Sequence, residues 1–409
     1  MESATGKQNA EEAEVRGNMN TVEDTGTISS ARGYPGNLDL TPDTQSDFEI
    51  TPDGTEYEDT GITKPFNPTL IDIATKQMSL DTFIRRMREG EINLAPDFQR
   101  SEVWKATAKS RLIESLLIRI PLPAFYMDAT DDDYWLVVDG LQRLSTLRDF
   151  VIRKTMRLQD LEFLTLFEGC TYDDLPRNYQ RRIEETQVTV YLIEQGTPPE
   201  VKFNIFKRIN TGGLPLSAQE IRHALNQGPV TEYLKRLAHS DEFQQATYGG
   251  VSDNRMAARE CALRFLAFTI TPPEEYKAAD FDSFLSDAMG TVNKMSDTER
   301  DNLSGRFMRS LKAAHKIFGE AAFRKPGQVP RRSPINKALF EVWTVTMDCQ
   351  SDETLRRLQA SHEEVTEKVV TFIRNDSGFL NAISQGTGDA GKVKFRFMRF
   401  QEEVQKALS

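Results

Sequence analysis

The passage LVVDGLQRLSTLRDF, from Leu136 to Phe150, constrains this chain more than any other. The apolar residues Leu136, Val137 and Val138 read as a buried strand that stops at Asp139-Gly140, and an apolar pattern at helical spacing starts at Leu141. A strand that hands over to a helix across an acidic-Gly turn demands a mixed α/β layer. It also exposes a helix N-terminus, whose first N–H groups lack intrahelical partners and carry partial positive charge. An anion is stabilised at such a place without special arrangement. Gly140 permits close backbone approach, Asp139 offers a carboxylate to Mg²⁺ or to a water, and Arg143 lies one helical turn on. Taken alone, the same residues read better as an ordinary turn, with Asp139 as N-cap and Gln142 and Arg143 on a solvated helix face.

The pattern on either side fills in an α+β unit. SLDTFIRRMREGEI predicts a helix capped by Ser79, with Leu80, Phe83, Ile84 and Met87 on one face and Gly90 at its end. ATAKSRLIESLLIRI predicts a second helix, with Leu112, Ile113, Leu116, Leu117 and Ile120 as the buried stripe and Pro121 as its stop. PAFYMD and YWLVVD read as two strands joined by an acidic turn, and TVYLIE (189–194) as another. VKFNIFKRIN is a helix that runs into Asn210-Thr211-Gly212-Gly213. SAQE then forms a capping box for the next helix. From about Ser217 the pattern is helical almost throughout.

The chain has 409 residues, which exceeds the usual size of a single core, so two folded units and a tail are expected. We place an acidic, disordered arm at 1–65, an α+β domain at 66–225 and a mostly α-helical domain at 226–409. The net charge of −11 belongs to the arm: residues 1–60 hold 14 Asp/Glu and 3 Lys/Arg, leaving 48 of each sign for the rest. Basic patches for nucleic acid therefore remain open in the folded part. Cys170, Cys261 and Cys349 are too scattered for a disulfide framework or a metal site, and no run approaches the ~18 apolar residues of a membrane span. The expectation is a cytoplasmic protein with no membrane contact. His223, His239, His315 and His362 stand singly, without metal-ligand spacing.

Two further motifs accompany the junction. PDFQRSEVW presents Gln99 and Arg100 between Phe98 and Trp104, a planar cation flanked by aromatics and suited to a phosphate. FKRINTGG places Lys207, Arg208, Asn210 and Thr211 at a helix C-terminus, where basic residues also serve the helix dipole. The loop RKPGQVPRRS, with Arg324, Lys325, Arg331 and Arg332 and the later Lys337, is a candidate for phosphate contact. KVKFRFMRF reads as an amphipathic edge.

In this order, PDFQRSEVW, IESLLIRIPLPAFY, VVDGLQRLSTL and FKRINTGGLPLSAQEIRHAL resemble the N-terminal domain of the GmrSD-type restriction endonucleases. That domain belongs to the ParB/sulfiredoxin-like superfamily and bears a DGQQR motif. The resemblance is strong over Ser79 to Leu225 and weaker in RMAARECALRFLAF and FRFMRFQ. It implies a pocket that handles a nucleotide, such as a nucleoside triphosphate with Mg²⁺, and controls action on foreign DNA. By matching position, Asp139, Gln142 and Arg143 would do the chemistry, with Asp139 on the metal. Gly140, Gln99, Arg100, Arg208, Asn210 and Thr211 would hold the nucleotide or phosphate. Two departures qualify this. Leu141 replaces the motif's first glutamine, and leucine cannot orient a water. No His-Asn-His nuclease module follows. The resemblance thus favours a nucleotide- or DNA-binding sensor or regulatory subunit, with a separate protein partner such as a nuclease and with self-association open. A Mg²⁺-dependent NTPase or nuclease using Asp139, and a protein-interaction module with a vestigial pocket, are the alternatives.

Overall fold

The computed structural model describes residues 55–56, 73–94, 104–209, 216–277, 280–327 and 333–408. Its first half is built on β1 (Ile73–Ser79), α1 (Leu80–Arg88), β2 (Ile92–Asn93), α2 (Ala106–Leu117), β3 (Phe125–Asp128), β4 (Trp135–Asp139), α3 (Leu141–Leu147), α4 (Arg177–Glu185) and β5 (Gln187–Ile193). The strands form a mixed sheet in the order β1-β5-β3-β4-β2. β3 and β4 run antiparallel across the acidic turn, β3 lies parallel to β5, and β1 closes the other edge antiparallel to β5.

Alternation along these strands sorts side chains onto two faces. Phe125, Met127, Val137, Val190 and Leu192 pack with Phe83, Ile84, Ile113, Leu116 and Leu144 into one core. Val138 and Ile193 join a second cluster formed by α5 (Pro199–Ile209) and α6 (Ala218–Leu225), through Val201, Phe206 and Ile221. Residues Asp47–Ser409 cluster as one compact unit.

The remainder is helical: α7 (Pro229–Ala238), α8 (Asp241–Thr247), α9 (Ala257–Ile270), α10 (Phe281–Lys294), α11 (Asp297–Phe318), α12 (Lys337–Asp348), α13 (Asp352–Ala360), α14 (His362–Asn375), α15 (Ser377–Ala382) and α16 (Ala390–Lys406). The architecture is a small mixed sheet with helices followed by a mostly helical region, as the pattern predicts. α9 is buried on every side over Ala257–Phe268, and Trp343 is enclosed by Phe318, Phe323 and Phe400.

Three expectations need correction. α2 ends at Leu117, not at Pro121, and Ile120 is 48% exposed instead of buried. Arg119 adopts φ 63, so its N–H reaches the Leu116 carbonyl while the Ile120 N–H reaches that of Ser115. This 6→1 and 5→2 pair is a Schellman closure with an arginine where glycine is commonest. Next, three cations of the basic loop region serve internal partners. Arg324 donates to the carbonyls of Ser333 and Thr247, Lys337 lies 3.3 Å from Glu260, and Lys325 pairs with Glu56. Arg331 and Arg332 lie outside the described residues. Finally, two residues within the expected acidic arm are docked. Thr55 forms a parallel bridge with Ile335, and the buried Glu56 carboxylate accepts from Asn336 at 2.9 Å as well as pairing with Lys325.

A buried chain of charges crosses the helical region. Arg222 of α6 meets Asp282 at 2.5 Å and Glu260 at 3.4 Å. Glu260 holds Arg264 at 2.8 Å, and Arg264 lies 3.3 Å from Glu341. Glu341 in turn accepts from Arg396, whose other nitrogen donates to the Thr387 carbonyl at 2.7 Å. Buried ions are tolerated only when partnered in this way. Burial raises the Glu260 carboxyl, but Lys337, Arg264 and Arg222 outweigh it and hold the group well below the usual carboxylate range.

A depressed folded pKa gives stability that is fully present above the unfolded value near 4.5 and is lost as pH falls through the folded one. Burial raises Asp282 instead, so its protonation offsets part of that loss. Glu260→Gln should cost about 3–5 kcal/mol at neutral pH, since it strands buried cations. Denaturant melts should also show a flatter acid limb for the variant below pH 4.5 than for the wild type.

Candidate functional site

The strand-to-helix junction forms where the pattern places it. β4 ends at Asp139, Gly140 is the N-cap with φ 102, and α3 starts at Leu141. That backbone conformation favours glycine, and space demands it as well. A Cβ on Gly140 would lie 2.4 Å from Cδ1 of Phe125. No side chain caps α3, so Asp139 does not cap it, and the first N–H groups of the helix have no side-chain acceptor. α3 continues directly into a π-helical turn, Arg148–Ile152.

The side chains of the motif divide into two groups. Leu141 is buried in the core below the sheet. Arg143 is also buried, and its guanidinium packs 4.4 Å from the centre of the Phe125 ring. One nitrogen donates to the Pro123 carbonyl. The other donates to the Ala124 carbonyl at 3.1 Å and to Asp139 Oδ2 at 2.8 Å. Burial lowers the guanidinium pKa, and Asp139 partly restores it. Arg143 thus joins the start of β3 to the end of β4, and its donors face the protein.

Asp139 and Gln142 remain partly exposed. The Gln142 side-chain oxygen is itself buried and has no hydrogen-bond partner among the described residues. A lone buried acceptor costs about 1–3 kcal/mol, and a donor from outside would remove that cost.

The other expected site residues are placed unevenly. Arg208 is exposed at the end of α5, while its neighbour Lys207 comes within 4.0 Å of Asp282. Gln99, Arg100, Asn210 and Thr211 lie outside the described residues. The capping box at Ser217 is present, with Glu220 N–H donating to Ser217 Oγ at 3.1 Å. Residues Gln99, Arg100, Asn210 and Thr211 are therefore tied to the junction only by sequence order.

Two groups on the sheet were not singled out by the sequence. Lys202 of α5 pairs with Asp128 at 3.1 Å at the end of β3, which fixes α5 beside the sheet. Tyr126 and Tyr191, opposite each other on β3 and β5, stack with centroids 4.7 Å apart. Burial, with smaller help from Tyr191 and Asp139, pushes the Tyr126 hydroxyl above its ordinary value. The signal for this pair was the alternation in FYMD and VTVYLI, which puts one tyrosine of each strand on the same face.

Asp139 gives a metal ion little support. One of its oxygens is held by Arg143, and among the described residues no three or more His, Cys, Asp or Glu side chains gather where a metal could bind. Mg²⁺ is usually held by one or two carboxylates plus substrate phosphates.

Residues 80–226 match the family model described as GmrSD restriction endonuclease, N-terminal domain. No match was found among curated proteins or among solved structures. No helix among the described residues is long and apolar enough to cross a membrane.

Arg143→Ala should lower folding stability by about 3 kcal/mol, since it removes charged hydrogen bonds and strands buried carbonyls. Arg143→Lys should fall between the two. Urea melts at neutral pH measure this, and unchanged midpoints would show that the guanidinium does not pin the junction.

Proposed function

With residues 80–226 belonging to the GmrSD restriction endonuclease N-terminal domain family, a restriction-related phage-defence family, we propose that this chain is a nucleotide- or DNA-binding regulatory protein of such a system. The ligand's phosphate would lie at the Asp139–Gly140 junction. The observation that carries this reading is the lone Gln142 acceptor beside an uncapped helix start. Backbone N–H groups would take the phosphate oxygens, and Gln142 would take a donor from the sugar or base. Arg143 would act as the residue that positions Asp139 and the turn, not as a hand on the phosphate.

Binding is favoured over hydrolysis by two features. Leu141 fills the core where the motif's first glutamine would stand, which removes a group able to align a water. One oxygen of Asp139 is already held by Arg143, so that oxygen is not available to orient a water. DNA contact and a separate nuclease partner belong to the same proposal, supported by the family match.

Calorimetric titration with ATP, GTP and CTP in the presence of Mg²⁺ tests this. Micromolar binding of at least one nucleotide is expected, and Gln142→Ala should weaken it about tenfold, the loss of roughly one good hydrogen bond to a charged or polar ligand. Because Gln142 makes no internal side-chain bond among the described residues, the variant's melting temperature should not fall. Equal affinity in both proteins would remove Gln142 from the site.

A further inference from the structure

The register of the sheet lines up one row of residues across four strands. Thr75 of β1 pairs with Tyr191 of β5, Tyr191 with Tyr126 of β3, and Tyr126 with Asp139 of β4. Gln77 and Thr189 form the adjacent row and are joined by a 2.9 Å side-chain hydrogen bond. The opposite face of the same strands is closed core, with Phe125, Met127, Val190 and Leu192 all 1% exposed or less. α5 and α6 cover the other end of the tyrosine face, where they bury Ile193 and Val138 and where Tyr126 packs against their cluster, while Tyr191 stands outside it. Thr75 and Gln77 are exposed, and both tyrosines are half-buried.

Two aspects of the pair suit it to a ligand. The rings are inclined by only 25°, so each gives one face to its partner and turns the other outward, toward Thr75 on one side and Asp139 on the other. Neither tyrosine hydroxyl has a hydrogen-bond partner among the described residues, and neither is among the buried atoms left without one, so both are available to an outside partner. A third planar ring would extend the stack, with hydroxyl and amide groups beside it to meet polar ring edges.

We infer that Tyr126 and Tyr191 form a stacking platform for a nucleobase, carried by a free nucleotide or by an unpaired base of DNA. Aromatic side chains on an open sheet face take bases in this manner because every base has a π-face. Direct pairing of Tyr126 with Asp139 puts the platform on the strand next to the Gly140 turn, so base and phosphate of one nucleotide span the two. This rests on reading the junction as the phosphate end. Gln77 and Thr189, adjacent to the platform, are the polar groups placed to prefer one base over another.

The test uses the full chain and four probes: nucleoside triphosphates, inorganic tripolyphosphate, nucleosides, and short single-stranded DNA. Tyr191→Ala should weaken binding of every base-bearing probe about tenfold or more, while Tyr191→Phe retains it. Tripolyphosphate, which has no base, should bind wild type and both variants alike. If tripolyphosphate and nucleotide bind equally well and Tyr191→Ala changes neither, the platform is wrong and the phosphate site stands. If no base-bearing probe binds the wild type, both are wrong. Photocrosslinking of bromodeoxyuridine-containing DNA to the wild type, mapped by mass spectrometry, needs no variant. Attachment at Tyr126 or Tyr191 supports the platform, and attachment confined to other residues overturns it. Preference between nucleotide and DNA identifies the source of the base.

Discussion

The buried chain of charges from Arg222 to Arg396 is the constraint on which the rest of the molecule depends. Each member is desolvated, and each is tolerable only because its neighbours stay in place. The chain begins on α6, the last helix of the segment that matches the family model, and passes through α9, α10 and α12 to α16. No member can move alone without leaving a charge unpaired in low dielectric. The helical region therefore acts as a rigid mount for α6. It also fixes both flanks of residues 210–215: Lys207 approaches Asp282 on one side, and Ser217 Oγ donates to the Arg255 carbonyl at 2.9 Å on the other.

The junction is held with equal economy, and its motif is divided between structure and ligand. Gly140 makes the turn that a Cβ would block, Leu141 anchors the helix in the core, and Arg143 clasps the ends of two strands. What is left for a ligand is the uncapped helix start, the partly exposed Gln142 with its buried, unpartnered oxygen, and one oxygen of the partly exposed Asp139. In the reading proposed here, that remainder suits recognition: it offers donors and an acceptor at fixed positions and no group prepared to activate water. The tyrosine row on the neighbouring strands would extend the same surface from phosphate to base.

Much of this was legible in the residues. The strand stop at Asp139, the capped start at Ser79, the capping box at Ser217 and the antiparallel pair around the acidic turn all followed from local rules, and each is present. The end of α2 was misplaced because Pro121 looked like the stop, whereas a left-handed Arg119 had already closed the helix. Tertiary pairing decided what local pattern could not. Nothing near Arg143 in sequence announces that its partners are the carbonyls of Pro123 and Ala124, and nothing near Lys325 points to Glu56, far away in the chain. The cations of RKPGQVPRRS read as a phosphate contact for the same reason, although Arg324 and Lys325 have internal partners. The tyrosine pair needed the strand order β5-β3-β4, which a crossover through α4 creates and no local period encodes.

The most direct measurement is hydrogen exchange of the backbone amides of the full chain, with and without a saturating nucleotide and Mg²⁺. The account predicts slowed exchange at Leu141, Gln142 and Arg143, because those N–H groups would bind the phosphate oxygens, with little change in α9 or α12. Unchanged exchange at these three amides, together with protection elsewhere in the chain, would contradict it.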